Sequence, residues 1–108
     1  MTRIVRSALF KRQLLDMTSG YRERAGSEVA LRFIDQIEDG VAFIIKRPLA
    51  CAVYIEVQGR VFRKWSLKGF PVSVFFRLEG DDTLILEALY AHRMNIAGRL
   101  PGDVEGDG

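Results

Sequence analysis

The chain has 108 residues, 48% of them hydrophobic and 28% charged, and a formal net charge of +2. That length fits one domain whose core can hold without disulfides or metal, and the composition excludes a disordered chain. No apolar run approaches the ~18–20 residues needed to span a bilayer. The opening MTRIVRSALFKRQLL also lacks the apolar stretch of a secretory signal, so a soluble cytoplasmic protein is expected.

The lone cysteine, Cys51, cannot bridge internally and fits a reducing compartment. Charge is distributed unevenly. Residues 1–24 carry six basic and two acidic side chains (+4), residues 25–47 three and four (−1), residues 48–79 five and two (+3), and residues 80–108 two and six (−4). Basic patches of this kind suit an anionic partner, either nucleic acid or an acidic protein segment, as well as an ordinary solvated face.

In chain order, TRIV opens as a short strand. Ser7 offers a hydroxyl cap to a helix starting near Ala8. Phe10, Leu14, Met17 and Tyr21 recur at helical spacing and form one apolar stripe. Gly20 and Gly26 loosen the chain beyond it, although the helix can run past Gly20. Ser27 is predicted to cap a second helix, with Glu28 near the positive end of its dipole. Ala30, Phe33, Ile34, Ile37, Val41, Ile44 and Ile45 make its stripe. Gly40, inside that stripe, costs about 1 kcal/mol relative to alanine and admits the close approach of another backbone. Lys46 and Arg47 suit the negative helix end, and Pro48 stops it. The two helices read as a hairpin.

The second half is rich in Val, Ile, Phe, Tyr and Thr. CAVYIEV, RVFRKWSL, FPVSVFFRLE and TLILEALY are predicted strands, separated by the turn signals QG, KG and EGDD. Connections this short favour an antiparallel meander. Alternation places Phe62, Lys64 and Ser66 opposite Val61, Arg63, Trp65 and Leu67. It sets Val72, Val74, Phe76 and Leu78 opposite Ser73, Phe75, Arg77 and Glu79. In the last strand Leu84, Leu86, Ala88 and Tyr90 oppose Ile85, Glu87 and Leu89. One apolar and one mixed face per strand is the pattern of a sheet covered by helices on one side, and a bulge would swap the faces. The predicted fold is therefore α+β, with a short N-terminal strand, a helical hairpin, and a meander carrying the helices on one face. One domain covers residues 1–95, and residues 96–108 form a glycine-rich acidic tail.

Two stretches carry a family resemblance. ALRFIDQIEDGVAFIIKRP resembles the second helix of the RelE/ParE toxin superfamily, including its terminal proline. FRKWSLKGFPVSVFFRLEGDDTLILEALYAHRM resembles that family's C-terminal half, with an Arg-bearing strand, a KGFP turn, a VFFRLEG strand and a final strand ending in a His-x-Arg-like segment. The resemblance spans roughly residues 2–95 and is closer to the ParE, or plasmid-stabilisation, branch. It implies the toxin of a type II toxin–antitoxin system, held with a cognate antitoxin in a hetero-oligomer. ParE-branch toxins poison DNA gyrase by protein–protein contact. The alternatives are a RelE-like nuclease that cuts messenger RNA on the ribosome, and an inactive relative that retains antitoxin binding. The fold does not choose between them.

Metal-free RNA cleavage needs a 2′-hydroxyl activated as nucleophile, positive charge on the phosphate, and an acid for the leaving oxygen. Under the nuclease alternative the resemblance offers Arg63, Lys64, Arg77, His92 and Arg93. His92, the only histidine, aligns with the nucleases' histidine. Arg93 stands where their terminal tyrosine acts, Ser73 where a phosphate-binding arginine is expected, and Tyr90 lies upstream with a parity that can point it inward. Two requirements are thus missing or displaced, and the enzyme reading is the weaker one. Arg63, Lys64, Trp65, Lys68, Phe75, Arg77, His92 and Arg93 are the candidates for target or antitoxin contact, with Trp65 and Phe75 read equally as an exposed apolar pair or as core side chains, and Arg77 alternatively as the partner of Glu79 or Glu87 in a structural ion pair. One His and one Cys cannot make a usual zinc set, no glycine-rich phosphate loop is present, and no cofactor is implied. Cys51 reads as a small buried hydrophobe.

Overall fold

The structure is a computed structural model that describes residues 2–92 and residue 100. The chain forms β1 (Arg3–Arg6), α1 (Ala8–Ala25), α2 (Ser27–Lys46), a 3₁₀ turn (Pro48–Ala50), β2 (Ala52–Val57), β3 (Arg60–Ser66), β4 (Val72–Glu79) and β5 (Thr83–Ala91). The five strands make one sheet in the order β1-β5-β4-β3-β2. β2 to β5 form the antiparallel meander, whereas β1 joins β5 in parallel, with Arg3 beside Thr83. The sheet is therefore mixed. Among the described residues no helix is long and apolar enough to cross a membrane.

Local chemistry explains the element ends. The Phe10 amide donates to Ser7 Oγ at 2.9 Å, which is the predicted N-cap. α1 runs through Gly20 and ends at Gly26, whose φ of 96° reverses the chain in one residue. Because Gly26 makes that turn, Ser27 already has helical geometry. It opens α2 rather than capping it, and the N-cap position is Gly26, without a side-chain cap. The β2–β3 hairpin turns on Gln58 (φ 51°) and Gly59 (φ 79°), both in the left-handed region that a two-residue type I′ loop requires.

The apolar stripes of the helices meet the sheet in the main core. Phe10 from α1 and Phe33, Ile37, Val41 and Ile44 from α2 pack on Val72, Val74, Phe76, Leu84, Leu86 and Leu89. Tyr21, Phe33 and Phe70 pack as an aromatic group with centroids 4.9–5.3 Å apart. The opposite face of the sheet is also buried. Leu9, Phe62, Phe75, Ala88, Tyr90 and Leu100 form a second cluster, with Tyr54, Ile55 and Val57 at its margin. Leu100 is fully buried in this cluster, and the other residues of the expected tail lie outside the described residues.

A bulge in β5 explains why strict alternation misassigns that strand. Phe75 pairs with Ala88, but Phe76 pairs with Leu86, so Glu87 is an extra residue. Leu84 and Leu86 face the helices as predicted. After the bulge, Leu89 joins the helix-side core while Ala88 and Tyr90 turn to the second cluster. α1 secures the irregularity. Ser7 Oγ donates to the Glu87 carbonyl at 2.8 Å, and the Leu89 amide donates to Gln13 Oε1 at 2.7 Å.

Candidate functional site

Register determines which candidate residues share a surface. Lys64 lies opposite Phe75, and Trp65 opposite Val74. Because paired residues point to the same side of a sheet, Trp65 faces the helices with Val74. Lys64 and Phe75 lie on the other face. Arg63 and Trp65 share one side by alternation, and Phe75 and Arg77 share the other.

Trp65 and Phe75 therefore do not form one exposed apolar pair. Trp65 is half-buried beside α2, with its ring centroid 6.2 Å from that of Phe43. Phe75 is fully buried and meets Tyr54 and Tyr90 edge-on at 5.3 and 5.7 Å. Tyr90, also fully buried, takes the inward orientation that its parity allowed.

The cations are held in different ways. Arg63 is half-buried, and its Nη1 donates to the Cys51 carbonyl at 2.8 Å. Lys64 Nζ stands 5.0 Å from the centroid of the Tyr54 ring. Lys68 is exposed in the β3–β4 connection. Arg77 is tied to two carboxylates. Its Nε donates to Glu87 Oε2 at 2.7 Å and its Nη1 lies 3.2 Å from Glu79 Oε2. Glu87 is buried and Glu79 is not, so the Glu87 contact dominates. Arg93 lies outside the described residues.

His92 is exposed at the end of β5. Its amide donates to the Pro71 carbonyl at 2.9 Å, which fastens the strand end to the loop before β4. Its Nε2 lies 2.9 Å from Ser73 Oγ, and Ser73 Oγ lies 2.8 Å from Ser66 Oγ. Ser73 is 1% exposed, whereas Ser66 is at the surface. Ser66 was missed from the sequence, because it acquires its place in this chain of contacts only through a cross-strand partner, whereas the pairing of Arg77 with Glu79 or Glu87 was an expectation that the structure meets with both.

These positions divide the nuclease candidates. Arg63 is on the helix side, Lys64 and Arg77 are on the other, and Arg77 is neutralised locally. Near Cys51, burial raises the thiol above its ordinary range and the Arg63 guanidinium partly opposes that shift. A raised, buried thiol is poorly suited to nucleophilic work.

No protein-family model matches the sequence, and no curated protein does. Among solved structures, the chain is similar to one from the chromosomal ParDE TA system from P. aeruginosa, with a TM-score of 0.70 and 22% sequence identity. The alignment covers 84% of this chain and 96% of that one, so the likeness takes in both the helical hairpin and the sheet. The chain has a ParE-like fold.

Proposed function

We propose that the protein is the toxin of a type II toxin–antitoxin pair, acting in the cytoplasm as ParE-branch toxins do. It inhibits DNA gyrase by protein–protein contact, and a cognate antitoxin neutralises it in a hetero-oligomer. The observation that carries this reading is the likeness, over 84% of the chain, to a protein of a ParDE system. The distribution of the cations favours the non-nuclease branch, because Arg63 is separated from Lys64 by the sheet and Arg77 is occupied by Glu79 and Glu87. Apolar side chains left in solvent suit an antitoxin that docks a helix or adds a strand. Leu15, Leu31, Leu49 and Val53 are each more than half exposed.

The test is a supercoiling assay with purified gyrase. The toxin is expected to inhibit supercoiling or to raise cleaved DNA. Normal gyrase activity at stoichiometric excess overturns the gyrase target. In parallel, RNA ends are mapped after a short pulse of expression. Codon-positioned cuts that disappear in a His92→Ala variant would replace this reading with a ribosome-dependent nuclease. Growth that continues without a partner protein would leave only antitoxin binding.

A further inference from the structure

Exposed apolar side chains gather where α2 ends. Ile45 and Leu78 are each 38% exposed and Leu49 is 71% exposed, and all three line one cleft of about 230 Å³. Pro48 and the buried Leu84 line it as well. One wall comes from the end of α2 and the 3₁₀ turn, and the other from β4, β5 and the turn between them. The volume is below the roughly 300–1,000 Å³ of a small-molecule pocket and suits one large aliphatic side chain.

Such a side chain stands at the cleft itself. Leu49 is the most exposed large apolar residue among those described, and it borders an apolar hollow that it leaves open. A knob set beside a hole of the same chemistry is self-complementary. A two-fold rotation brings the knob of each copy to the hole of the other, which is how an isologous interface is built.

Charge has the same two-sided pattern. Lys46 and Arg47 are exposed on the helix side of the cleft, and Asp81 is exposed on the strand side. Among the described residues none of the three takes part in an ion pair. A uniformly acidic or uniformly basic segment would be drawn to one wall and repelled by the other. A two-fold copy instead sets the cations of each molecule against the aspartate of the other.

We propose that two copies of the chain pair about a two-fold axis at this cleft, with Leu49 of each copy seated in the cleft of the other. Lys46 and Arg47 of each copy face Asp81 of the other and fix the orientation. Pairing here buries Leu49 and leaves Leu15 and Leu31 of the helical hairpin in solvent, where an antitoxin can still dock. The inference stands on shape and charge at the cleft and does not depend on the gyrase reading.

The full chain is sedimented to equilibrium across roughly 1–100 µM, and twice the monomer mass is expected at the upper end. Leu49→Asp removes the knob and is expected to weaken pairing at least about tenfold. Two charge variants test the orientation. Lys46→Glu combined with Arg47→Glu makes both walls acidic, and Asp81→Lys makes both basic. Each protein alone is expected to pair roughly tenfold more weakly, whereas an equimolar mixture of the two is expected to associate again as a heterodimer. Circular dichroism and urea midpoints check that each variant is folded. A monomer at every concentration overturns the proposal, and so does a dimer indifferent to Leu49→Asp. A mixture of folded charge variants that fails to associate overturns the two-fold arrangement. A chain that is monomeric alone and loses antitoxin binding in Leu49→Asp would give the cleft to the antitoxin instead.

Discussion

The indole of Trp65 rests on the backbone of Gly40. A Cβ at position 40 would lie 2.7 Å from Cζ3 and 2.8 Å from Cε3 of that ring. Glycine in mid-helix is therefore explained by an aromatic ring, rather than by the second backbone that the sequence suggested. Gly40→Ala gains about 1 kcal/mol of helix propensity but forces the ring to move, an overpacking penalty of roughly 1–3 kcal/mol. A net loss of stability is expected in urea unfolding. Adding Trp65→Leu should return part of it, since the smaller side chain can withdraw. A single variant as stable as the parent would contradict the contact.

The Arg77–Glu87 pair makes a second prediction. Removing one partner strands the other beneath the sheet surface, so Arg77→Met is expected to lose about 3 kcal/mol. The exposed Glu79 contact accounts for less than about 1 kcal/mol of that. The double variant Arg77→Met, Glu87→Leu should recover most of the loss, because no unpaired carboxylate remains. A double variant no better than the single would place the stabilisation elsewhere.

Ser7 has two separable roles. Its oxygen caps α1 by accepting from the Phe10 amide, and its hydroxyl donates to the Glu87 carbonyl at the bulge. Ser7→Ala removes both and should cost about 1–2 kcal/mol. Ser7→Asp keeps an acceptor for the cap but has no proton for the carbonyl, so it should fall between parent and alanine variant. Equal stability of the two variants would show that the cap contributes nothing.

Cys51 predicts a pH dependence. Burial raises the thiol above its ordinary range, with Arg63 partly opposing. The native state therefore holds this proton more tightly than the unfolded chain. The associated stability is fully present below the unfolded thiol's range and is lost as the pH rises through the native one. From roughly pH 8.5 upward, the parent should lose stability relative to Cys51→Ala, measured as the difference between paired urea curves. Alkylation by iodoacetamide should also be much slower in the native chain than in urea. Parallel pH profiles of the two proteins would refute the thiol's role.

The legible part of the fold is the part set by local periodicity. The stripe of Phe10, Leu14, Met17 and Tyr21 and, from the second helix, Phe33, Ile37, Val41 and Ile44 reach the main core as their spacing implies, whereas Ile45 at the margin of the second stripe is exposed. Ser7 caps where its hydroxyl could be foreseen. What could not be foreseen depends on pairing between distant segments. Nothing in TLILEALY marks Glu87 as an extra residue, so counting by twos puts Ala88 and Tyr90 on the wrong side. β1 lies parallel to β5 because of where the chain returns in space, and no residue in TRIV specifies it. The candidate site was legible as a list of side chains and misleading as a constellation. Arg77 reads equally as a contact residue or as an ion-pair partner until the strands set Glu79 and Glu87 beside it, and Ser66 looks ordinary until Ser73 and His92 line up behind it.

The position of β1 also bears on when the molecule can first exist. Its partner strand is made well after both helices, and Ser7 meets Glu87 across 80 positions of sequence. Contacts over that separation close slowly, because the loop must be ordered before they are rewarded. During synthesis the N-terminal strand and the bulge end of the sheet must wait until β5 has left the ribosome, while the helical hairpin can form early from its own local contacts. A truncated product would keep its hairpin and lack a closed sheet. For a protein proposed to harm its own cell, that topology ties the making of β5 to the appearance of the finished surface.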